Sequence, residues 1–173
     1  MNSKKLQNEK YHISAGAKMV PFSGYNMPIW YTSIADEHNC VRNNVGIFDV
    51  SHMGEFIVSG IESIKFLQKV TSNNIEKLKV GNAQYSSLTN ENGGIIDDLI
   101  VYCLNINKYM LVVNASNMKK DFDWLEKHNL YKAKIKNISN NISLLAVQGP
   151  KASSLLNTIS NTDLSTIKFY NFI

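Results

Sequence analysis

The spacing of apolar residues is clearest in the middle of the chain, where it predicts strands. Apolar stretches predict one strand over Ala83–Thr89, a second over residues 95–104 and a third over residues 109–113. Between the first two lies a polar cluster at residues 90–94, whose Asn-Gly pair is a strong short-range signal for a hairpin turn. Short turns between successive strands predict an antiparallel meander.

Helical spacing appears before and after this meander. Ile34, Val41 and Val45 fall on one face of a predicted helix over residues 34–45, and Gly46 stands where a left-handed C-cap would lie. Two further helices are predicted, one over residues 61–70 and one that starts at Pro150, a residue favoured at the first helical position.

A fourth helix is predicted over residues 118–128, directly after the third strand of the meander. Ser116 or Asn117 can cap its start, since both side chains accept hydrogen bonds from free backbone N–H groups. Phe122 and Leu125 lie three residues apart, so they would face the sheet from one side of this helix.

The first 33 residues follow neither spacing. Glycine and proline alternate there with aromatic residues, which predicts an irregular segment that packs on a core or lines a pocket. Shorter strands are predicted over residues 54–58, 132–138 and 142–147. Because helices interleave with antiparallel strands, we expect an α+β fold of antiparallel sheets with flanking helices.

Composition narrows the class of protein. The chain has 173 residues, 44% of them hydrophobic and only 18% charged, which is typical of a globular chain with a buried core. Its two cysteines, Cys40 and Cys103, exclude a disulfide scaffold and lack the C-x-x-C spacing of zinc sites. No apolar run approaches the roughly 20 residues of a membrane span, so we expect no membrane association.

The net charge of +4 does not predict nucleic-acid binding. Arg42 is the single arginine, and the lysines are dispersed along the chain instead of being clustered on one element. The four histidines do not stand at ligand spacing, so we expect no metal site. The N-terminal sequence has no apolar core of a secretory signal, which favours a cytoplasmic location.

Two adjacent acids open an otherwise apolar strand. Successive strand residues point to opposite faces, so Asp97 shares a face with Leu99, and Asp98 shares the other with Ile100. At least one carboxylate would then lie in an apolar environment, where ionisation requires a compensating partner. An acid exposed to solvent beside the Gly-Gly turn is the other interpretation, and the alternation does not choose between the two acids.

Several short segments, taken together and in order, resemble the T-protein of the glycine cleavage system, an aminomethyltransferase family. The most diagnostic are FDVSHM at residues 48–53 and GGIIDDL at residues 93–99. The matching segments are residues 16–28, 37–38 with 41–42, 46–53, 83–86, 93–102, 112–115 and 146–150.

The resemblance implies a reaction and its participants. Members of this family transfer an aminomethyl group from the dihydrolipoyl arm of H-protein to tetrahydrofolate, the acceptor substrate, in glycine catabolism. They release ammonia and form 5,10-methylenetetrahydrofolate. H-protein and the other glycine cleavage components are the partners that the resemblance implies, without a metal or nucleic acid.

The resemblance also assigns residues. By match to the family motif, Asp98 takes the place of the catalytic aspartate, and Met53, Tyr85, Val112 and Asn114 fall at positions that line the folate site. The chemistry agrees, because breaking the aminomethyl C–S bond develops an iminium-like cation. A fixed carboxylate in a water-poor site stabilises such a cation, and it can also position a folate nitrogen or handle a proton.

Family members are longer than this chain, so the resemblance covers an N-terminal half. We expect residues 1–52 with 141–173 to form a first, folate-binding domain that is incomplete at its C-terminus, and residues 53–140 to form an inserted α+β domain. Two alternatives stay open. One is a non-catalytic folate binder or inactive fragment, and the other is the folate domain of a sarcosine or dimethylglycine dehydrogenase.

Overall fold

A computed structural model describes residues 3–173 of the chain. Residues 1 and 2, which belong to the predicted irregular segment and to the predicted first domain, lie outside the described residues. The chain forms two compact units. Unit 1 contains the residues through His52 together with Ser143–Thr166, and unit 2 contains Met53–Ile142 together with Ile167–Ile173. The predicted first domain included residues 141–173, whereas the last seven residues cluster with unit 2. The assignment of domains with a folate-binding role stays a prediction.

Helices and mostly antiparallel strands alternate along the chain, which confirms the α+β class. The elements, in chain order, are β1 (Lys4–Lys5), α1 (Glu9–Ser14), β2 (Lys18–Phe22), β3 (Tyr25–Trp30), α2 (Ile34–Asn43), β4 (Gly46–Asp49), β5 (Gly54–Ser59), α3 (Ser63–Val70), β6 (Ala83–Thr89), β7 (Ile95–Asn105), β8 (Lys108–Val113), α4 (Met118–Lys127), β9 (Lys134–Asn137), β10 (Leu145–Gln148) and α5 (Ala152–Ile159).

The prediction of an irregular N-terminal segment is wrong. Strands β2 and β3 form a hairpin there, and β1 pairs with β3 in parallel. The turn consists of Ser23 and Gly24, both with positive φ, as the type I′ hairpin turn requires. Pro21 lies on an edge strand, and Pro28 lies beyond the two residues of β3 that pair with β1. Neither proline therefore interrupts a ladder on both sides, so both are compatible with a sheet.

Two predicted helix boundaries in unit 1 are also wrong. Gly46 does not cap α2 but begins β4, opposite Gln148. A Cβ atom at Gly46 would collide with the Val41 side chain, so close packing explains the glycine. Pro150 precedes α5 by two residues and lies in a turn, in which the Ala152 N–H donates to the carbonyl oxygen of Gly149. A Cβ at Gly149 would lie 2.5 Å from the carbonyl oxygen of Asn44.

Unit 2 is a five-stranded antiparallel sheet in the order β6-β7-β8-β5-β9, with α3 and α4 packed against one face. Within it the predicted meander has the expected order. The core on the helix side includes Phe56 and Leu111 from the sheet and Phe66 from α3, all fully buried. Helix α4 faces the sheet as predicted, since Leu125 is fully buried and Phe122 stacks edge-on against Phe56 at 5.1 Å between ring centroids.

Candidate functional site

The adjacent acids of β7 point to opposite faces of the sheet of unit 2. Asp97 is 7% exposed and shares its face with Leu99 and Val101, which belong to the core against the helices. Asp98 is half-buried and lies on the other face. The structure therefore makes the choice that alternation alone left open: Asp98 is the acid on the face away from the core.

Two neighbouring strands hold the Asp98 carboxylate. From β6, the Tyr85 hydroxyl donates to Oδ2 at 2.9 Å. From the residue that follows β8, the Asn114 amide Nδ2 donates to Oδ1 at 2.9 Å. The hydrogen bond to Asp98 raises the pKa of Tyr85, so the phenol stays protonated and remains a donor. Each carboxylate oxygen thus accepts one hydrogen bond, which fixes the plane of the group and leaves further lone pairs free.

Sheet register places the remaining predicted residues beside this cluster. Tyr85 lies opposite Ile100, which lies opposite Val112. Met53 directly precedes Gly54, whose partner is Val113, so continuing the register puts Met53 across from Asn114. All five predicted site residues therefore occupy two adjacent rows on one face of unit 2. Tyr85, Asp98 and Asn114 are in direct contact, whereas Met53 and Val112 are placed there by register.

No cation neutralises Asp98 within the described part of the chain. The ion pairs formed by residues 3–173 all involve other acids, namely Glu9, Asp49, Glu62 and Asp123. Its two partners, a phenol and an amide, are neutral donors, so neither cancels the charge of the carboxylate. The arrangement therefore presents an uncompensated negative charge in a fixed orientation, which suits a cationic or N–H-bearing ligand group.

Behind this face, Asp97 belongs to a buried polar network. Its Oδ1 accepts from the Asn114 amide at 3.1 Å and from the Asn117 amide at 2.8 Å. Burial alone would raise the pKa of Asp97, but hydrogen bonds from Asp121, Asn117 and Asn114 hold it below its ordinary value. Burial, together with contact with Asp97, raises the pKa of Asp121 to about 8. One asparagine side chain, that of Asn114, thus contacts both adjacent acids.

Two members of this network, Asn117 and Asp121, are absent from the sequence prediction of the site. Asn117 is expected only as a helix cap, yet its side chain makes no cap bond and turns to Asp97. Asp121 stands at helical spacing among Met118, Phe122 and Leu125. An acid at an apolar position of an amphipathic helix indicates a buried side chain with a polar partner, so a polar contact of Asp121 could have been predicted from the sequence.

Unit 1 contains a separate polar cluster and a cavity of about 750 Å³ with mainly apolar walls. The His12 ring lies between Tyr31, at 2.7 Å, and the buried carboxylate of Asp49, at 2.8 Å. Tyr31 and Asp49 both line the cavity. None of the five predicted site residues lies in this unit.

Two other properties concern residues 3–173 as a whole. Within that range no group of three or more histidine, cysteine or acidic side chains could hold a metal ion. The helices described there are also too short or too polar to cross a membrane.

Comparison with known proteins places the chain in a family. The family model described as the GCVT N-terminal domain matches residues 9–173. The chain belongs to the GCVT N-terminal domain family. The resemblance inferred from the segments around residues 48–53 and 93–99 is thereby confirmed.

Curated relatives of this GCVT domain carry the name aminomethyltransferase. That of Bacteroides thetaiotaomicron is 55% identical over 161 residues, covering 93% of this chain and 45% of the relative. That of Halothermothrix orenii is 46% identical over 169 residues, covering 98% of this chain and 47% of the relative. The chain spans about half the length of the curated relatives it matches.

Two solved structures are similar to this chain to different degrees. Glycine cleavage system aminomethyltransferase T from Bartonella henselae matches with a TM-score of 0.92 and 35% identity, covering 98% of this chain and 47% of that chain. A heterotetrameric sarcosine oxidase from Corynebacterium matches with a TM-score of 0.51 and 14% identity, covering 75% of this chain and 64% of that chain. At that identity the second match shows a shared fold alone.

Proposed function

We propose that this chain supplies the Asp98-bearing part of a tetrahydrofolate-dependent aminomethyltransferase. The substrates in this proposal are the aminomethyl-loaded dihydrolipoyl arm of H-protein and tetrahydrofolate, and the setting is glycine catabolism in the cytoplasm. The observation that carries the proposal is the cluster of Tyr85, Asp98 and Asn114 on one face of unit 2. Membership of the family supports the reaction class.

In this reaction the aminomethyl carbon loses its bonds to the lipoyl sulfur and to the amine nitrogen, and it gains two bonds to folate nitrogens. The C–S bond of the aminomethyl group breaks, and sulfur keeps the electron pair and becomes a thiol. Two folate nitrogens bond the carbon, and the original amine leaves as ammonia. The two protons lost by those folate nitrogens equal the two gained by sulfur and ammonia, so the exchange balances without an oxidant or reductant.

Asp98 has the properties that this exchange requires of an electrostatic group. Loss of the C–S bond leaves positive charge on the aminomethyl fragment, and the Asp98 carboxylate is a fixed negative charge without an ion-pair partner among residues 3–173. In a water-poor site such a preorganised charge stabilises the transition state more than water would. Asp98 is the proposed catalytic residue for this reason.

The surrounding residues have binding roles in the proposal. Asp97 and Asp98 accept the two amide hydrogens of Asn114, so its carbonyl oxygen is the group that can accept from an N–H of the amide-like edge of a pterin ring. Val112 and Met53 contribute apolar surface for the folate ring system, and Tyr85, which is 52% exposed, lies at the open side of the cluster. In the same proposal residues 1–52 with 141–173 belong to the folate-binding domain, and residues 53–140 form the insert.

Reconstitution of the transfer reaction tests the function. The 173-residue chain is supplied with aminomethyl-loaded H-protein and tetrahydrofolate, both alone and mixed with the C-terminal half of the Bacteroides thetaiotaomicron aminomethyltransferase. We expect 5,10-methylenetetrahydrofolate to form in the mixture, at a rate that depends on both substrates. Asp98→Asn should lower this rate about 100-fold or more.

Binding measured alongside transfer separates the alternatives. Glu91→Gln, on the exposed hairpin tip, is the matched control and should keep the full rate. If the chain binds tetrahydrofolate but no mixture shows transfer, the result would favour a non-catalytic folate binder over an enzyme. Transfer from N-methylglycines without H-protein would favour a sarcosine-type enzyme instead.

A further inference from the structure

A continuous chain of polar contacts runs from the interior of unit 2 to the proposed catalytic acid. It leads from Asp121 on α4 to Asp97 on β7, then to the Asn114 amide, and from there to Asp98. We propose that Asp121 and Asp97 share one proton and, through the Asn114 amide, fix the orientation of the Asp98 carboxylate. They are positioning residues, and the inference rests on the proposed role of Asp98.

The proton follows from burial and from the partners available. Asp121 is fully buried, and neither of its carboxyl oxygens has a donor group within hydrogen-bonding distance among the described residues. Oδ2 of Asp97 likewise has no partner within residues 3–173 when both carboxyl groups are ionised. The two carboxyl groups contact each other. Two ionised carboxylates in contact repel strongly, so one proton held between them supplies the donor that both lack.

Hydrogen bonds assign the proton to the Asp121 side of the pair. Asp97 accepts two amide N–H groups at Oδ1, from Asn114 and Asn117, and these favour its ionised form. Asp121 has no such donors. The arrangement is therefore a neutral Asp121 that donates to Oδ2 of an ionised Asp97.

The Asn114 amide transmits this arrangement to the site. Its Nδ2 lies 3.1 Å from Oδ1 of Asp97 and 2.9 Å from Oδ1 of Asp98, and also 3.3 Å from the Asp98 carbonyl oxygen. An NH₂ group has two hydrogens, so holding one on Asp97 directs the other toward Asp98. The position of the Asp98 carboxylate thus depends on Asp97, which is buried on the opposite face of the sheet.

Loss of the shared proton should loosen this arrangement. The charges that act most strongly on Asp121 are Asp97 and Asp98 on β7, which disfavour its ionisation, and Lys120 beside it on α4, which favours it. The Lys120 ammonium is held by the carbonyl oxygen of Ile96 at 2.7 Å. Because the pKa of Asp121 is raised to about 8, the proton is present at neutral pH and leaves in mildly alkaline solution.

Two variants and a control separate positioning from simple packing. Asp121→Asn keeps a donor for Asp97 but cannot titrate, whereas Asp121→Leu removes the donor. Asp123→Asn changes an exposed acid on the same helix that is paired with Lys119, so it leaves the network intact. Reconstituted transfer is measured with each chain from pH 6 to 9.5.

For the unmodified chain and Asp123→Asn we expect kcat to fall above about pH 8. Asp121→Asn should keep the neutral-pH rate within about threefold and lose that alkaline decline. Asp121→Leu should lower kcat about tenfold at every pH. If all variants keep the original pH profile while Asp98→Asn is inactive, the positioning role is wrong. If Asp98→Asn is fully active, the proposed function fails instead.

A second measurement needs no activity. The side-chain ¹⁵N amide signal of Asn114 should titrate with a midpoint near pH 8 in the 173-residue chain, as the pKa of Asp121 implies. The titration should persist in Asp123→Asn and vanish in Asp121→Asn. A signal that does not move between pH 6 and 9.5, or an identical titration in Asp121→Asn, would overturn the proposal.

Discussion

Glu55 on β5 allows a quantitative prediction about stability. Its side chain is 1% exposed, and neither carboxyl oxygen has a hydrogen-bond partner among residues 3–173. Burial raises the pKa of this group from 4.5 to about 7. A buried carboxylate without a partner is unfavourable, so the folded chain should hold Glu55 as the neutral acid.

The magnitude follows from the two pKa values. Each pH unit above the ordinary pKa of 4.5 adds about 1.4 kcal/mol to the relative cost of ionising Glu55 in the folded state. The effect reaches about 3 kcal/mol once the pH exceeds the folded-state pKa of about 7. Because the folded chain binds this proton more tightly than the unfolded chain, the contribution of Glu55 to stability is fully present below pH 4.5 and is lost as the pH rises through about 7.

Glu55→Gln tests this reasoning, since glutamine has the shape of the neutral acid but cannot ionise. Urea unfolding of both chains at pH 5, 7 and 8.5 gives the free energy of unfolding. At pH 5 the two should agree within about 1 kcal/mol. At pH 8.5 Glu55→Gln should be more stable by about 3 kcal/mol. The titration of Asp121 affects both chains equally and cancels in the comparison.

Glu91→Gln, an exposed glutamate in the β6–β7 turn, serves as the control and should follow the unmodified chain at every pH. The reasoning is refuted if the difference between Glu55→Gln and the unmodified chain is the same at pH 5 and pH 8.5. It is also refuted if Glu55→Gln is the less stable chain at pH 8.5.

Two further substitutions test the site and unit 1. Asn114→Ala should reduce the transfer rate more than Tyr85→Phe in the reconstituted assay, because Asn114 contacts both acids whereas Tyr85 makes one exposed contact; equal losses would contradict this. Gly149→Ala should lower the free energy of unfolding by about 1–3 kcal/mol, measured by urea, since its φ is +120° and the new Cβ meets the Asn44 carbonyl. An unchanged midpoint would argue against that strain.

Local rules were sufficient to predict two parts of unit 2, the meander of β6, β7 and β8 and the helix α4. The hairpin after Ala83–Thr89 has an Asn-Gly pair at its tip, and the neighbouring strands are joined by short turns, so sequence neighbours are also sheet neighbours. Helix α4 was predictable because its apolar residues recur at helical spacing. In these segments, spacing and turn chemistry indicate the same structure.

The N-terminal sheet depends on long-range information that spacing does not contain. Pro21 and Pro28 argue against strands until the partner strands and their lengths are known. Gly46 resembles a helix cap in sequence, but its real constraint is the Val41 side chain packed against it. In both cases a tertiary contact decides between two locally acceptable conformations.

The arrangement of side chains around Asp98 was predictable only in part, for similar reasons, and the function of these residues stays a prediction. The Gly-Gly turn and the two adjacent acids indicated the location of the candidate site, and the family resemblance implied that Asp98 is its catalytic acid. Strand alternation could not say which acid faces the core, because both faces of β7 carry apolar residues. The roles of Asn117 and Asp121 depend on how α4 packs against β7, which no local pattern specifies.

The central claim is that the Asp98 carboxylate promotes aminomethyl transfer. Its most direct test is the single-turnover rate of ammonia release from aminomethyl-loaded H-protein at saturating tetrahydrofolate, in the reconstituted mixture. For Asp98→Asn, whose folded state is checked by circular dichroism, we predict a rate about 100-fold or more below that of the unmodified chain and of Glu91→Gln. An Asp98→Asn rate equal to that of the unmodified chain would contradict the account.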